Sequence, residues 1–316
     1  MIVTITLNPS LDRTIEIAEL TRGAVIRAGA ARLDPGGKGV NVSRALLAND
    51  VPTCAVIPFG GDEGRRLVEL LSDEGIEMIM VPVSGTTRSN ITLAEPDGTV
   101  TKINEPGTAL TRAELDTLAE AVLDAAGSAD WVVASGSLPP GVPTDIYARM
   151  CRMFARAGIR TAVDTSGPAL VAALAAGPAL VKPNREELAA AAGVPVTTLG
   201  DAIDAARKLR AMGARTVLAS LGADGAVLVE GDAEERIWYG TAEATEPRST
   251  VGAGDAMLAG FLAAGARGRD ALAEGLAWAA AAVAQPGSRM PRPHDIRRDA
   301  VRFPPPDPNL PLRTGG

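Results

Sequence analysis

Alternating blocks of apolar and polar residues predict a regular succession of strands and helices along the chain. Short runs rich in Val, Ile and Leu, bounded by Gly, Pro or Asp, have the length of buried strands, and apolar residues three and four positions apart mark helices between them. The predicted strands cover residues 1–7, 51–59, 78–83, 131–135, 160–164, 179–182 and 216–220. The predicted helices cover 42–48, 62–74, 144–157 and 256–262, begin at Thr111, Glu186 and Asp201, and include two Ala-rich stretches beyond Ala266. This alternation predicts an α/β fold with a doubly wound, mainly parallel sheet flanked by helices.

Two other segments show the residue-by-residue alternation of strands that have one exposed face. Residues 13–34 contain short pieces of this kind, and residues 87–104 have the pattern of a hairpin that turns at Pro96-Asp97-Gly98. We expect the two segments to pair into a small β-sheet, separate from the main sheet, that forms a lid. Residues 1–303 would then make up one domain that includes this lid, and residues 304–316 a Pro-rich tail that is irregular or frayed.

Composition and charge argue against a membrane protein and against a general nucleic-acid binder. The chain of 316 residues is 46% apolar, enough for a full core, and no apolar run reaches the roughly 18 residues of a membrane span. A net charge of −7 argues against a general nucleic-acid binder, though not against a small anion held by local cations. Residues 1–7 lack the basic leader of a secretory signal, and Cys54 and Cys151 stand apart in apolar surroundings. We therefore expect a cytoplasmic protein with reduced thiols that binds neither nucleic acid nor membrane.

The stretch from Arg248 to Phe261 combines a glycine-rich turn with an apolar helix. Gly252, Ala253 and Gly254 carry almost no side chain, so the backbone N–H groups at the helix start can hold an anion. Asp255 adds a carboxylate next to this predicted anion hole. A carboxylate can take a proton from a hydroxyl that attacks a phosphoryl group, which predicts a catalytic base. The alternative is an aspartate that caps a core helix.

A second glycine cluster, residues 34–41, has the sequence Asp-Pro-Gly-Gly-Lys-Gly-Val-Asn. Neither cluster is a Walker A loop, and the GxGxxG fingerprint is missing, so phosphate binding would use another scaffold. Gly36 and Gly37 permit close approach of the backbone to a ligand. Lys38 can supply positive charge to a phosphate, with a solvated surface lysine as the alternative, and Asn41 can both donate and accept hydrogen bonds.

The two glycine clusters together resemble the two signatures of the ribokinase-like (PfkB) carbohydrate kinases. Gly36 to Asn41 and Thr250 to Asp255 stand in the family's order within an α/β chain of suitable length, and the resemblance runs from about Met1 to His294. Within the family the sequence is most similar to the 1-phosphofructokinase branch, with tagatose-6-phosphate kinase and the related 6-phosphofructokinase close behind. The stretches that carry this similarity are residues 6–12, 35–43, 87–90, 136–140 and 181–184.

The resemblance implies roles for particular residues. Asp255 would be the catalytic base, and Gly252, Ala253 and Gly254 the anion hole. The residues implied in sugar binding are Asp12, Gly36, Gly37, Lys38, Asn41 and Asn90. The residues implied in ATP binding are Lys182, Asn184, Ser220, Gly222, Gly225 and Thr250. Asn184 and Glu187 match the family's NxxE motif, which holds Mg²⁺ mostly through water, although Glu187 could equally be a first-turn residue stabilised by its helix.

Arg88 and Lys102 lie on the two arms of the predicted hairpin. A planar guanidinium suits phosphate, so Arg88 is the predicted clamp for a phosphate already present on the sugar. Lys102 is a second candidate, although an exposed strand can carry such a charge for solubility alone. Glu105 places a negative charge near this group, and the sequence gives no reason for it. Together these features predict a kinase that uses ATP and Mg²⁺ to phosphorylate D-fructose 1-phosphate, as a homodimer joined through the lid.

Three alternatives stay open from the sequence. A kinase for tagatose 6-phosphate or fructose 6-phosphate would keep the mechanism and move only the phosphate-binding groups. A nucleoside or unphosphorylated-sugar kinase is disfavoured by Arg88 and by the sequence from Asn8 to Asp12. A catalytically inactive sugar-phosphate sensor is disfavoured by the intact Asp255 and its glycine turn.

Overall fold

Strands and helices alternate over most of the chain. The computed structural model describes residues 1–127, 129–231, 233–244 and 247–313. Its strands are β1 (Ile2–Thr6), β2 (Ser10–Glu16), β3 (Ala31–Gly36), β4 (Thr53–Phe59), β5 (Met78–Pro82), β6 (Arg88–Ala94), β7 (Val100–Asn104), β8 (Trp131–Ser135), β9 (Arg160–Asp164), β10 (Leu180–Val181), β11 (Val217–Ser220), β12 (Ala226–Glu230), β13 (Arg236–Ala242) and β14 (Val301–Arg302). Its α-helices are α1 (Lys38–Leu47), α2 (Gly61–Asp73), α3 (Arg112–Ala126), α4 (Ile146–Arg156), α5 (Gly167–Leu174), α6 (Arg185–Ala192), α7 (Leu199–Ala211), α8 (Ala253–Ala263) and α9 (Gly268–Val283).

The large sheet has the strand order β14-β13-β12-β11-β10-β9-β8-β1-β4-β5 within the described residues. The strands from β5 to β11 in this order pair in parallel. Parallel strands joined by helices confirm the predicted α/β class. The far edge is different, because β11, β12, β13 and β14 pair antiparallel. The sequence does not predict β12 and β13, and a short connection such as the one between them can only join antiparallel neighbours.

Helices cover both faces of the large sheet. In β8, Trp131 and Val133 belong to the core that the sheet forms with α1, α8 and α9, whereas Val132 and Ala134 belong to the core that it forms with α3 to α7. Successive side chains of a strand point to opposite faces, so a strand buried on both sides must be apolar throughout. This is why the central strands are recognisable as uninterrupted apolar runs.

A separate four-stranded sheet has the order β3-β2-β6-β7, which confirms the predicted small β-sheet. β2 pairs antiparallel with β3 and parallel with β6, and β6 pairs antiparallel with β7. The first segment is longer than predicted, since β2 begins at Ser10 and β3 ends at Gly36. The small sheet therefore leads directly into the second glycine cluster and α1.

One α-helix, α9, follows Ala266 in the described residues, whereas the sequence predicts two Ala-rich helical stretches. Gly275, in the middle of α9, does not break the helix because it serves as a packing site: a Cβ there would lie 2.9 Å from the carbonyl oxygen of Met257. On the facing helix, a Cβ on Gly260 would lie 2.8 Å from the ring of Trp278. The two glycines allow α8 and α9 to pack closely. The short helix α5 is a further element that the sequence does not predict.

The described part of the Pro-rich tail is irregular, which is one of the two predicted forms. Residues 304–313 form no helix, yet they are docked rather than frayed. Leu312 is 6% exposed, and its N–H donates to the carbonyl oxygen of Thr197 at 2.8 Å. The remaining predicted tail residues, 314–316, lie outside the described residues. Among the residues described, no helix has both the length and the apolar character needed to span a membrane.

Candidate active site

Polar residues collect at the carboxyl ends of the parallel strands. Asp164 ends β9, Lys182 follows β10, and Ser220 ends β11. Open α/β sheets bind ligands at this edge. The starts of α1 and α8 lie at the same edge, because Lys38 of α1 contacts Asp164, and Asp255 of α8 contacts Asn41 of α1. The two glycine clusters, far apart in sequence, are thereby brought to one place.

The glycine turn before α8 exposes a helix N-terminus. Gly252 is the N-cap residue in a left-handed conformation with φ of +78°, which glycine adopts without strain, and no side chain of the described residues caps the helix. The N–H of Ala253 makes a long bond of 3.4 Å to the carbonyl oxygen of Thr250. First-turn N–H groups have no partner within their own helix, so the turn that contains Gly252, Ala253 and Gly254 can bind an anion.

Asp255 lies in the first turn of α8 and is buried. Its Oδ2 accepts a hydrogen bond of 2.8 Å from Nδ2 of Asn41. Burial, followed by the negative charge of Asp164, raises the pKa of Asp255 to about 6, while Lys38, Lys182 and the bond from Asn41 act in the opposite direction. The carboxylate is therefore ionised at neutral pH, yet basic enough to accept a proton.

A lysine–aspartate cluster consists of Lys38, Asp164 and Lys182. Nζ of Lys38 donates to Oδ1 of Asp164 at 2.6 Å, and Nζ of Lys182 lies 3.0 Å from Oδ2, as an ion pair without hydrogen-bond geometry. Burial alone would raise the pKa of the fully buried Asp164, but the two ammonium groups outweigh it and lower the pKa. Burial would lower the pKa of Lys38, and the charges of Asp164, Asp255 and Glu187 together raise it. Lys38 therefore stays charged.

Asp164 is a site residue that sequence analysis missed. Its position at the end of a predicted strand was the available signal, since that is where α/β sheets place ligand-binding groups. No motif marks it, because its partners Lys38 and Lys182 are distant in sequence.

Lys182 lies beside the helix N-terminus of α8. A Cβ on Gly254 would be 3.2 Å from Nζ of Lys182, and this lysine is only 3% exposed. The ammonium group and the first-turn N–H groups of α8 thus form one electropositive wall. Lys182, predicted as an ATP-binding residue, is placed where it can contact a phosphate.

On the small sheet, Asp12 and Asn90 face each other on adjacent strands. Oδ1 of Asp12 accepts hydrogen bonds from Oγ of Ser10 at 2.7 Å and from Nδ2 of Asn90 at 2.9 Å. Gly36 lies against this carboxylate, and a Cβ there would be 2.4 Å from Oδ2 of Asp12. The requirement for glycine at this point of the second cluster is therefore steric.

Two amide oxygens of the site, Oδ1 of Asn41 and Oδ1 of Asn90, are buried without a hydrogen-bond partner among the described residues. Buried polar groups in native proteins are nearly always paired, so each such atom calls for a physical reason. In both residues Nδ2 donates a hydrogen bond to a carboxylate, that of Asp255 for Asn41 and that of Asp12 for Asn90. Their oxygens remain as acceptors for a hydroxyl-bearing ligand.

Arg88 is held by the backbone near the small sheet. Its Nε donates to the carbonyl oxygen of Asn8 at 3.2 Å and its Nη1 to that of Glu105 at 3.0 Å. Burial lowers the pKa of Arg88, although Asp12 and Glu105 counteract this effect. The carboxylate of Glu105 accepts from the N–H of Ser89 at 2.8 Å. Glu105 thus anchors the strand next to Arg88. This contact gives the reason for Glu105 that the sequence does not provide.

A pocket of roughly 210 Å³ lies between the small sheet and the large sheet. It contains three of the predicted sugar-binding side chains, Lys38, Arg88 and Asn90, together with Gly37. Lys102 does not line it: it lies on the exposed β7, two residues before Asn104, which does. The lining residues that sequence analysis did not assign are Asn8, Asn104, Gly136, Ser137, Thr165 and Ser166. Asn104 ends β7, and the others come from loops that follow β1, β8 and β9, where the sequence pattern is weakest.

Asn184 and Glu187 form a reciprocal capping box at the start of α6. The N–H of Glu187 donates to Oδ1 of Asn184 at 2.8 Å, and the N–H of Asn184 donates to Oε2 of Glu187 at 2.9 Å. The structural alternative considered for Glu187 is therefore realised. The capping box occupies only Oε2 of Glu187. Its other oxygen, Oε1, lies 3.6 Å from Nζ of Lys38 and faces the site.

Ser220, Gly222 and Gly225, which are also predicted to bind ATP, belong to the loop next to this capping box. Ser220 forms a β-bridge with Asn184. Gly222 and Gly225, with φ of +63° and +90°, begin and follow the short 3₁₀ helix Gly222–Asp224. Thr250 is exposed two residues before Gly252. The structure thus brings Asn184, Ser220, Gly222 and Gly225 together, with Thr250 on the glycine turn.

Comparison with known proteins gives consistent matches over nearly the whole chain. Residues 5–295 match the model of the family described as pfkB family carbohydrate kinase. A 1-phosphofructokinase from Rhodobacter capsulatus is 40% identical over 302 residues, which is 93% of this chain and 94% of that protein. ATP-dependent 6-phosphofructokinase isozyme 2 from Escherichia coli (strain K12) is 37% identical over 295 residues, 92% of this chain and 94% of that protein.

Solved structures give the same result. The crystal structure of phosphofructokinase-2 from Escherichia coli in complex with substrates and products has a TM-score of 0.87 and 35% sequence identity, and covers 93% of this chain and 96% of that chain. The fold, a mostly parallel sheet with a small additional sheet, is that of the ribokinase-like kinases. The chain therefore belongs to the pfkB family of carbohydrate kinases and is an enzyme of that family.

Proposed function

We propose that this kinase transfers the γ-phosphoryl group of ATP to the free primary hydroxyl of D-fructose 1-phosphate, giving fructose 1,6-bisphosphate. The observation that carries the proposal is the buried Asp255 carboxylate, bonded to Asn41, together with two buried amide oxygens of the site that lack partners among the described residues. Hydroxyl groups of a sugar would satisfy these oxygens, which belong to Asn41 and Asn90.

Asp255 acts as the general base. With a pKa raised to about 6 it is ionised at pH 7, and its basicity is close to the optimum for accepting a proton near neutral pH. It takes the proton of the attacking hydroxyl as the bond from that oxygen to the γ-phosphorus forms, while the bond from the γ-phosphorus to the β,γ-bridging oxygen breaks and ADP leaves. The hydrogen bond from Asn41 fixes the orientation of the carboxylate.

The glycine turn and Lys182 stabilise the transferring group. The N–H groups at Gly252 to Gly254 and the ammonium of Lys182 are rigidly placed before the reaction, so little reorganisation is needed when charge develops on the phosphoryl oxygens. Lys38, tied to Asp164, adds a second positive charge on the sugar side. Preorganised charge of this kind is the main source of catalysis in phosphoryl transfer.

The residues of the NxxE motif fit a magnesium ion that is bound largely through water. Among the described residues, no group of three or more Asp, Glu, His or Cys side chains is gathered as a direct metal site. Oε1 of Glu187 remains available beside the capping box, and Mg²⁺ retains several waters in sites shared with phosphates. Glu187 and Asn184 would hold Mg²⁺ bound to ATP, and the ion would offset the negative charge of the phosphates.

Arg88 is proposed to bind the phosphate that the sugar already carries. It lines the pocket with Lys38, and two of its donors are fixed by backbone carbonyls while Nη2 is left to contact the ligand. Similarity to a 1-phosphofructokinase supports fructose 1-phosphate, and similarity to a 6-phosphofructokinase makes fructose 6-phosphate, with tagatose 6-phosphate, the second candidate. The two ends of a fructofuranose are similar enough for a few side chains to exchange them.

A coupled assay of ADP release tests the proposal. It compares fructose 1-phosphate, fructose 6-phosphate, tagatose 6-phosphate and ribose by kcat/KM with MgATP. A preference of about tenfold or more for fructose 1-phosphate is expected, which is about 1.4 kcal/mol of differential transition-state binding. A preference for another phosphosugar would move only the assignment of the phosphate clamp, and no turnover with any of them would favour the sensor.

The small sheet is proposed to act as a lid and as a dimer interface. Its face toward the site carries Asp12 and Asn90, whereas the opposite face carries apolar side chains such as Ile91 and Ile103. Ile103 is 53% exposed, and an apolar face of this kind favours association with a second copy. Light scattering should give a dimer, converted to a monomer by Ile103→Lys; a monomeric unmodified protein would contradict this.

A further inference from the structure

The segment of residues 304–313, here called the C-terminal strap, completes the hydrogen bonding at the start of α7. The N–H of Leu199 donates to the carbonyl oxygen of Leu310, and the N–H of Gly200 to that of Pro308, both at 2.9 Å. These are first-turn donors that the helix itself cannot satisfy. The third, the N–H of Asp201, donates to Oγ1 of the N-cap Thr198. The strap therefore occupies a defined seat on α7.

Gly200 shows that this seat depends on close backbone approach. A Cβ at position 200 would lie 2.8 Å from the carbonyl oxygen of Pro308, closer than a side-chain carbon tolerates. Beyond this seat, Leu312 is buried in the core, which places the following residue at a fixed point on the surface.

That residue, Arg313, links two loops by its main chain. Its N–H donates to Oδ2 of Asp224 at 2.8 Å, and its carbonyl oxygen accepts from Nη1 of Arg185 at 2.5 Å. Asp224 belongs to the 3₁₀ helix Gly222–Asp224, and Arg185 directly follows Asn184. The strap thus joins, from outside, the two loops that are already joined on the inside by the β-bridge between Asn184 and Ser220.

We propose that the C-terminal strap is a positioning segment that fixes the spacing of the two nucleotide-contacting loops and so sets the affinity of the enzyme for ATP. The inference rests on the proposed function for the assignment of these loops to the nucleotide. The strap lies beyond residue 295, where the match to the family description ends.

Two truncations form a matched pair. A chain that ends at Leu312 keeps the α7 seat and the buried leucine but loses both main-chain contacts of Arg313; a chain that ends at Arg313 keeps them. The readouts are the Kd for MgADP by titration calorimetry, which needs no sugar, and the separate KM values for MgATP and the phosphosugar. We expect the chain ending at Leu312 to bind MgADP about tenfold more weakly and to show the same change in KM for MgATP, because it loses the two hydrogen bonds of Arg313 and the ion pair of its side chain with Asp224.

The KM for the phosphosugar, and kcat at saturation, should stay within about twofold in the chain ending at Leu312, because the sugar side of the site is untouched. The chain ending at Arg313 should match the full-length enzyme. Gly200→Ala, which displaces the strap from α7, should weaken MgADP binding in the same direction.

Unchanged MgADP affinity in the chain ending at Leu312 would overturn the inference, even if the melting temperature fell, because the strap would then only support the fold. If the full-length protein bound no MgADP, the proposed function and this inference would both fail. Turnover of a phosphosugar other than fructose 1-phosphate would change the proposed substrate and leave the strap's role as stated.

Discussion

The amide Nδ2 of Asn41 donates a 2.8 Å hydrogen bond to Oδ2 of Asp255, joining residues 214 positions apart. Asn41 belongs to α1, directly after the small sheet, and Asp255 to α8, directly after the glycine turn. This contact couples the predicted sugar-binding cluster to the predicted catalytic base. It also makes the protonation state of Asp255 sensitive to substitution of Asn41 on α1.

The pH dependence of activity should report this contact. An acid whose pKa is raised to about 6 loses its proton as pH rises through 6, so kcat/KM should fall below about pH 6. The bond from Asn41 favours the ionised form, so Asn41→Ala should raise the pKa of Asp255 and move the acidic limb to higher pH. A sugar phosphate titrates in the same range, so the variant must be compared with the unmodified enzyme on the same substrate. An acidic limb that does not move would contradict the role of Asn41.

Asp164→Asn should act in the opposite direction on the acidic limb. Asp164 raises the pKa of Asp255 by its charge, so removing that charge should move the limb to lower pH. The same change leaves the buried ammonium group of Lys182 without the carboxylate of its ion pair, and an uncompensated buried charge costs about 3–5 kcal/mol. Denaturant unfolding and a pH profile of the same variant check the two effects. A variant of full stability with an unshifted limb would contradict the electrostatic description of the cluster.

Arg88→Ala should raise the KM for the phosphosugar by about 10- to 100-fold, as expected for a lost charge-assisted hydrogen bond, and leave the KM for MgATP within about twofold. Activity on unphosphorylated fructose distinguishes a loss of phosphate binding from a structural defect. If Arg88 binds the phosphate, the variant loses affinity for the phosphosugar only, whereas a structural defect impairs activity on both sugars. Arg112→Ala is the control, since Arg112 is 82% exposed on α3, away from the pocket. Equal losses with both sugars would remove Arg88 from the phosphate site.

Gly254→Ala should lower kcat by about 100-fold, comparable to losing one donor of an oxyanion hole, because its Cβ would lie 3.2 Å from Nζ of Lys182. Alanine also favours helix by about 0.5–1 kcal/mol, so the melting temperature should not fall. Gly127→Ala, with φ of −57° and its nearest neighbour 3.6 Å away, is the matched control. Full activity of Gly254→Ala would exclude this turn as the anion hole.

The sequence predicts the central strands well because their signal is local. The bounds of Trp131–Ser135 and Arg160–Asp164 are those predicted, since apolar runs ending in polar residues mark strands buried on both faces. The pattern fails where tertiary contacts decide. Gly275 has the local signal of a helix break, but it is a contact point between α8 and α9, and the Pro-rich tail is held by the first turn of α7.

The same distinction holds for the site. Asp255, Lys38 and Asn41 are recognisable because they lie in glycine clusters, whose unusual composition is visible in the sequence. Asp164 is not, because it is significant only through the two lysines that meet it in space. For the NxxE motif the structure shows the structural role, the capping of α6 by Asn184 and Glu187, and the binding of Mg²⁺ stays a prediction.

The central claim is that Asp255 is the base for phosphoryl transfer to fructose 1-phosphate, and Asp255→Asn tests it most directly. The side chain keeps its size and loses its basicity, so kcat with MgATP and fructose 1-phosphate should fall by about three orders of magnitude or more, within the range expected for removing a general base. The Kd for fructose 1-phosphate, measured by calorimetry on the same preparation, should change by less than about threefold. Turnover near that of the unmodified enzyme would contradict the account.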